Sequence, residues 1–387
     1  MRNLLIKLKY IFQAEAVLCI AAAAAAITMF FVPPSPDYFS YLDFRVLGLL
    51  FCLMAVVSGF QKTGVFLLLS EGLLKWVKTL RSLTFILVML CFATSMLITN
   101  DVALITFVPF AVLMLNMTGL TKYTIRVIVL QTIAANLGSM LTPIGNPQNL
   151  YLYTRFDIPI LEFFKITLPY TAVSFLLLCI IIFVTKKEKL DFQPPSSKES
   201  FRRGSRLLPV YGVLFGVCLA CVLRLLDYRI MFAAVLLTIL IFDQPILKRI
   251  DYTLLLTFVC FFVFVGNIGN ISIIKDFLAE LLVKKELPAA ILSSQVISNV
   301  PAAVLLSAFT DNYKALLLGT DIGGLGTLVA SLASLISYKL YCRTQNANRG
   351  RYLAVFTLYN LIFLAGLCLF YQFGHYAMIA FLFLLIV

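Results

Sequence analysis

One histidine and one tryptophan occur in 387 residues, and only 13% of the chain is charged. A lone His375 near the C-terminus excludes a multi-histidine metal site. The absence of any GK[ST] Walker signature excludes nucleotide hydrolysis by this chain as a source of work. Clustered His, Cys or paired acids, which a membrane enzyme would need near an interface, are missing. So is any polar stretch long enough for an appended sensor domain. Nine cysteines fall almost entirely in apolar segments. The close pair Cys218 and Cys221 has no His or carboxylate company and reads as small packing residues.

What is abundant is hydrocarbon. The chain is 61% hydrophobic, against about 45–50% for a soluble domain. Segments 16–32, 46–57, 83–97, 166–184, 231–242, 254–265 and 352–370 are each long enough, alone or with their flanks, to cross a bilayer. The expected class is an all-α polytopic membrane protein in a lipid bilayer. The start, MRNLLIKLK before an Ala-rich run, has the look of a secretory signal. With so many spans after it, it is read as a retained first helix with an amphipathic lead-in.

The net charge of +13 is a topology signal. Loops 1–13, 60–81, 116–126, 186–206, 243–251 and 338–351 hold 22 of the 31 Lys and Arg. The intervening stretches 33–45, 154–165, 224–229, 271–286 and 310–314 hold the other 9. The positive-inside rule makes the first set cytoplasmic, the N-terminus included. This points to a multi-pass protein of the cytoplasmic (inner) membrane and removes nucleic acid as the partner that the charge implies.

Polar residues interrupt the apolar runs in a repeated order. The basic linker 186–206 divides the chain into 1–185 and 207–387. The first half carries SMLITNDVAL (95–104) and then NLGSMLTPIGNPQNL (136–150); the second carries SQVISNVPAA (294–303) and then DIGGLGTLVASLASL (321–335). A constant offset of 185 aligns Gly138 with Gly323, Thr142 with Thr327, Asn146 with Ser331 and Leu150 with Leu335, while Asn100 and Asn299 are 199 apart.

The apolar run about 83–115 has cytoplasmic basic residues, Arg81 and Lys122, on both flanks, which predicts a re-entrant hairpin. Its counterpart, about 287–309, lies between outside loops and enters from the other face. Prolines and a glycine in TPIGNPQN predict a discontinuous helix over about 121–153, matched by about 314–337. Two inverted repeats follow, an architecture shared by many secondary transporters.

At such breaks, free carbonyls suit a cation and free N–H groups suit an anion. Ser95, one turn before Thr99, would help gather oxygens around a small hard cation. A single Asn or Ser within a span is commonly only interhelical glue; the paired set points to a transport site. Asp101 and Asp321 are intramembrane carboxylates and hence candidates for proton coupling.

At these residues the chain resembles the ion transporter superfamily, which includes divalent anion:sodium symporters, citrate transporters, arsenite efflux permeases and one class of sodium/proton antiporters. GSMLTPIGNPQNL is the most specific piece of the likeness. Thr99-Asn100 and Ser298-Asn299 resemble the family's paired Ser-Asn-Thr signatures. The resemblance implies a homodimer in which a transport domain moves like an elevator past a scaffold. It matches Ser95, Thr99, Asn100 and Gly145 to a cation site, and Ser294, Ser298 and Asn299 to its symmetric counterpart. It places Asn100, Asn299, Asn146 and Pro147 at a substrate carboxylate; beyond the resemblance, Asp101 is expected to act as charge compensator, and the aligned Thr327 and Ser331 are further substrate-binding candidates.

The chain departs from the dicarboxylate transporters at Asp101 and Val300, where they have Thr, and at 330–332, where Ala-Ser-Leu replaces a Thr-Pro break. The expected function is secondary active transport of a small anion, either a carboxylate such as citrate or a dicarboxylate, or an inorganic oxyanion. Sodium or protons are the coupling ion, with no cofactor and no metal beyond a transported alkali cation. The rivals are a sodium/proton antiporter and an arsenite-type efflux permease.

Overall fold

A computed structural model describes residues 16–66, 68, 77–184, 187–189, 205–271, 276, 280, 282–344 and 347–374. The lead-in 1–13, most of the linker 186–206, Lys75 and His375 lie outside the described residues. The architecture is all-α. Among the described residues the helices of eight residues or more run α1 (Ala16–Met29), α2 (Phe44–Thr63), α3 (Leu80–Ile98), α4 (Asn100–Met117), α5 (Thr124–Ser139), α6 (Pro147–Arg155), α7 (Ile160–Phe183) and α8 (Leu208–Val222). They continue as α9 (Tyr228–Phe242), α10 (Tyr252–Gly269), α11 (Glu286–Ile297), α12 (Asn299–Leu306), α13 (Tyr313–Gly323), α14 (Leu332–Cys342) and α15 (Arg349–Phe373). Six of them, α2, α3, α4, α7, α10 and α15, are long and apolar enough to cross a membrane.

Short polar residues start these helices by satisfying backbone N–H groups that have no intrahelical partner. Asp43 accepts from Val46 N, Asp251 from Leu254 N and Asn348 from Arg351 N. Thr79 and Ser82 form a reciprocal capping box at the head of α3. Gly64 ends α2 with φ 75°, the left-handed turn that glycine adopts without a Cβ penalty.

The side chains that tie loops together sort those loops into two groups. At one end Lys62 pairs with Asp243, Lys122 pairs with Glu188, and Leu80 N donates to Glu188 O. The Glu188 carboxylate accepts from both Lys122 and Tyr123, and it holds the Lys122 ammonium above its ordinary pKa. At the other end Lys314 pairs with Glu162, Arg224 pairs with Asp157, and Asn270 donates to the Tyr41 hydroxyl. None of these ties joins a loop of the Lys/Arg-rich set to one of the other set.

Two helices form the centre. α5 is buried along nearly its whole length and packs against α3, α4, α7, α14 and α15. Gln131 on α5 is fully buried; its amide donates to Leu87 O on α3 and Phe107 O on α4, 3.2 Å each, and so pins both arms of that helix pair. α13 packs in the same way against α11 and α12, and also touches α6. Outward-facing Val213, Leu237 and Ile241 give the flanks an apolar surface of the kind a bilayer covers. Cys218 and Cys221 are buried within α8.

Candidate transport site

α3 and α4 are separated by one residue, Thr99, with φ 64° and ψ 146°. α11 and α12 are likewise separated by Ser298 alone, with φ 74° and ψ 154°. Both residues occupy a backbone region that side chains strongly disfavour, so each tip is held by its surroundings. Beside each tip another helix is interrupted. The stretch 140–146 separates α5 from α6, and 324–331 separates α13 from α14.

The two junctions are built alike. Ser95 is fully buried beside Gly138, and Ser294 is fully buried beside Gly323. A Cβ at either glycine would lie 2.7 Å from the neighbouring serine Oγ. The Thr142 hydroxyl donates to Met96 O, and the Thr327 hydroxyl donates to Gln295 O. Both threonines thus tie a break to the last turn of the adjacent helix. Asn100 N donates to Gly145 O, 3.0 Å away, and Ser298 Oγ donates to Ala330 O at 3.4 Å.

The breaks also meet each other. Asn136, 5% exposed on α5, accepts at Oδ1 from the Asn100 amide and from the Ser331 hydroxyl, both at 3.0 Å. Asp321, 3% exposed on α13, accepts at Oδ1 from the Asn146 amide at 3.2 Å and from the Gln148 amide at 3.4 Å. The offset of 185 residues carries Asn136 onto Asp321 and Asn146 onto Ser331, so the two contacts are counterparts. Asn146 also caps α6, its Oδ1 accepting from Asn149 N, while Pro147 fills the first helical position. The second oxygen of Asp321, Oδ2, is buried without a partner, as is Oδ1 of Asn149.

The predicted residues do not all meet in this network. Asn100, Gly145, Asn146, Pro147, Ser331 and Asp321 come together, and Ser95, Thr99, Ser294 and Ser298 support the tips from behind or within. Asn299 is 4% exposed and sits against Gly324. Thr327 is exposed, with its backbone N–H and hydroxyl both engaged by Gln295. Asp101 lies in the first turn of α4; its Oδ1 is buried without a partner, and its carboxylate takes no part in the hydrogen bonds of Asn136 and Asp321. Sequence reasoning missed Asn136, Gln148 and Ser139, whose hydroxyl accepts from the Asn146 amide at 3.1 Å. The offset that aligns Gly138 with Gly323 also aligns Asn136 with Asp321, and that signal was available.

Polar, hydrogen-bonded breaks among membrane-length helices suit a polytopic membrane transporter, because irregular backbone within a bilayer survives only inside protein or beside a wet cavity. A family model described as "Citrate transporter" matches residues 10–336, and the chain belongs to that family, within the ion transporter superfamily. Its relatives include an uncharacterized transporter of Methanocaldococcus jannaschii, 33% identical over 82% of this chain and 86% of the relative. The inner membrane protein YbiR of Escherichia coli is 29% identical over 86% of this chain and 88% of its own length. A silicon efflux transporter of Oryza sativa is 31% identical over 38% of this chain and 30% of its own.

Proposed function

We propose that the chain is a secondary active transporter of a small anion, a carboxylate such as citrate or an inorganic oxyanion, driven by a sodium or proton gradient. The observation that carries this reading is the interlocked pair of contacts, Asn136 with Ser331 and Asp321 with Asn146. Each joins the interrupted helix of one half to the break of the other. Amides and hydroxyls at the tips and breaks present donors to anion oxygens, while the carbonyls and hydroxyls around Thr99, Gly145 and Ser298 present oxygen to a cation.

The two halves are inverted repeats with re-entrant hairpins. The recurrence of the serine–glycine, threonine–carbonyl and cross-half contacts at fixed offsets supports the repeat. The short arms of the second hairpin, α11 with 12 residues and α12 with 8, support its re-entry. Beyond the break that meets Thr99, α6 continues for 9 residues, about 13 Å at 1.5 Å per residue. The tip therefore stops well short of the far end of its neighbour. Asp101 and Asp321 are the proton-coupling groups in this reading, and a protonated or cation-paired Asp101 compensates charge beside a bound anion. The protein is a homodimer of the cytoplasmic membrane with its N-terminus inside, and one domain of each protomer slides past the other.

Ligand stabilisation tests the site. The purified protein is heated with millimolar citrate, succinate, sulfate or arsenite. One of these raises Tm in the wild type and has no effect on an Asn100→Ala/Asn299→Ala variant. An equal shift in both proteins contradicts the site. A sodium/proton antiporter would instead show no anion effect, and its cation flux would be lost in Asp101→Asn.

A further inference from the structure

A cavity of about 600 Å3 lies apart from the tips, between α2, α9 and α10 on one side and α6 and α12 on the other. Arg45 and Arg155 both line it. Among the described residues neither guanidinium has an ion pair or a hydrogen bond. The one acid in the wall, Asp43, is engaged in capping α2 through Val46 N. Of the other acids near this end, Asp157 is paired with Arg224, Glu162 is paired with Lys314, and Asp227 accepts from Arg229 N. The cavity wall thus carries two guanidinium charges against one carboxylate, a net positive charge inside a concave, partly apolar surface, which concentrates field and attracts anions.

The cavity is connected to the transport site through α6. Gln148, Tyr151 and Arg155 lie three and four residues apart along this helix and so share one face. Gln148 bonds the Asp321 carboxylate at one end of the stripe, and Arg155 faces the cavity at the other. Between them the Tyr151 hydroxyl meets the Ser307 hydroxyl at 2.8 Å, which bridges α6 to α12 as the floor of the cavity. Every lining segment also adjoins one of the five loops poor in Lys and Arg, 33–45, 154–165, 224–229, 271–286 and 310–314.

We infer that this cavity is an anion-collecting vestibule, in which Arg45 and Arg155 hold a small carboxylate or oxyanion before it passes the Tyr151–Ser307 pair to the breaks. It rests on the anion reading above for the class of ligand. Arg is suited to the task because its planar fork offers paired donors to two oxygens of one anion and stays charged at every working pH.

The local potential is measured without transport. Ala308→Cys places a thiol in the cavity wall, and the purified protein is labelled with an anionic sulfonate methanethiosulfonate or its cationic trimethylammonium analogue, with labelling of the parent protein subtracted. The anionic reagent is favoured by about tenfold at low salt, and the preference disappears in Arg45→Gln/Arg155→Gln. An Arg45→Lys/Arg155→Lys variant keeps it, which shows that lost charge rather than misfolding is responsible. The same preference in the Ala308→Cys protein with and without the Arg45→Gln/Arg155→Gln changes overturns the vestibule. In proteoliposomes, the Gln variant raises KM for labelled citrate about tenfold with kcat within about twofold; a lowered kcat at unchanged KM counts against it. A protein that moves no anion would sink the proposed function, yet the labelling ratio would still decide whether the cavity collects anions.

Discussion

Asn136 and Asp321 stand 185 residues apart, and each is hydrogen-bonded by a residue of the other half's break: Ser331 donates to Asn136 and Asn146 donates to Asp321. One position is an amide and the other a carboxylate, so the arrangement is symmetric in geometry and asymmetric in charge. In the proposed reading that asymmetry gives Asp321 an ion-coupling role and leaves Asn136 as a neutral anchor. Asp321→Asn preserves the hydrogen-bonding shape and removes the charge. The expected outcome is that gradient-driven accumulation is lost while solute exchange between equal concentrations on the two sides persists. Equal accumulation by both proteins under the same gradient rules out a coupling role for Asp321.

The glycines beside the tip serines give a stability test. A Cβ at Gly138 would collide with the Phe92 carbonyl and crowd Ser95; one at Gly323 would sit 2.7 Å from Ser294 Oγ. Gly138→Ala and Gly323→Ala are each expected to cost about 1–3 kcal/mol. Gly212→Ala, where nothing lies within 4 Å, is neutral or slightly stabilising. Thermal unfolding in detergent compares the three. A drop in Tm for Gly212→Ala as large as for the others would disprove the packing argument.

Thr99 and Ser298 test the backbone in the opposite direction. Both hold φ above 60° with an extended ψ, a region that costs about 1–3 kcal/mol for a residue with a side chain. Thr99→Gly therefore raises Tm in the absence of ligand, and loss of the tip's definition lowers transport. A variant that gains neither stability nor mobility would mean the tip conformation is unstrained.

The ion pair of Lys62 with Asp243 is unlike the surface pairs. The Asp243 side chain is 5% exposed, the Lys62 side chain 39%, and the Tyr211 hydroxyl also donates to the carboxylate. Lys62→Met leaves a buried charge behind and costs about 1–3 kcal/mol, discounted for the exposed lysine. A Lys62→Met/Asp243→Leu double variant recovers part of that loss. Lys122→Met, at a pair whose side chains are 63% and 33% exposed, changes stability by less than about 1 kcal/mol. Denaturation of all three variants measures the order, and a milder effect at Lys62 than at Lys122 reverses it.

The helical class and the tips were legible in the sequence because a hydroxyl beside an amide recurs inside an apolar run of each half. The break after Ser139 was legible from its prolines and glycine, although the helix resumes at Pro147 itself, whose missing N–H is harmless at a first helical position. The second break has no proline, and only the offset pointed to it. Asn136 escaped because an Asn within NLGSM reads as ordinary helix glue. Its partners Asn100 and Ser331 belong to other segments, and only packing brings them to one side chain. Thr327 aligns with Thr142, and packing adds what both hydroxyls do, which is to hold a carbonyl in the last turn of the neighbouring helix. Arg45 and Arg155 gave no motif at all, since their shared cavity joins segments 110 residues apart.

The most direct measurement is uptake of labelled citrate, succinate, sulfate and arsenite into proteoliposomes under separately imposed sodium and pH gradients, with Asn100→Ala/Asn299→Ala as the control. The account predicts that one gradient drives accumulation of one anion and that the double variant abolishes it. No anion uptake under either gradient, together with sodium-dependent proton movement that Asp101→Asn removes, would contradict it and establish an antiporter.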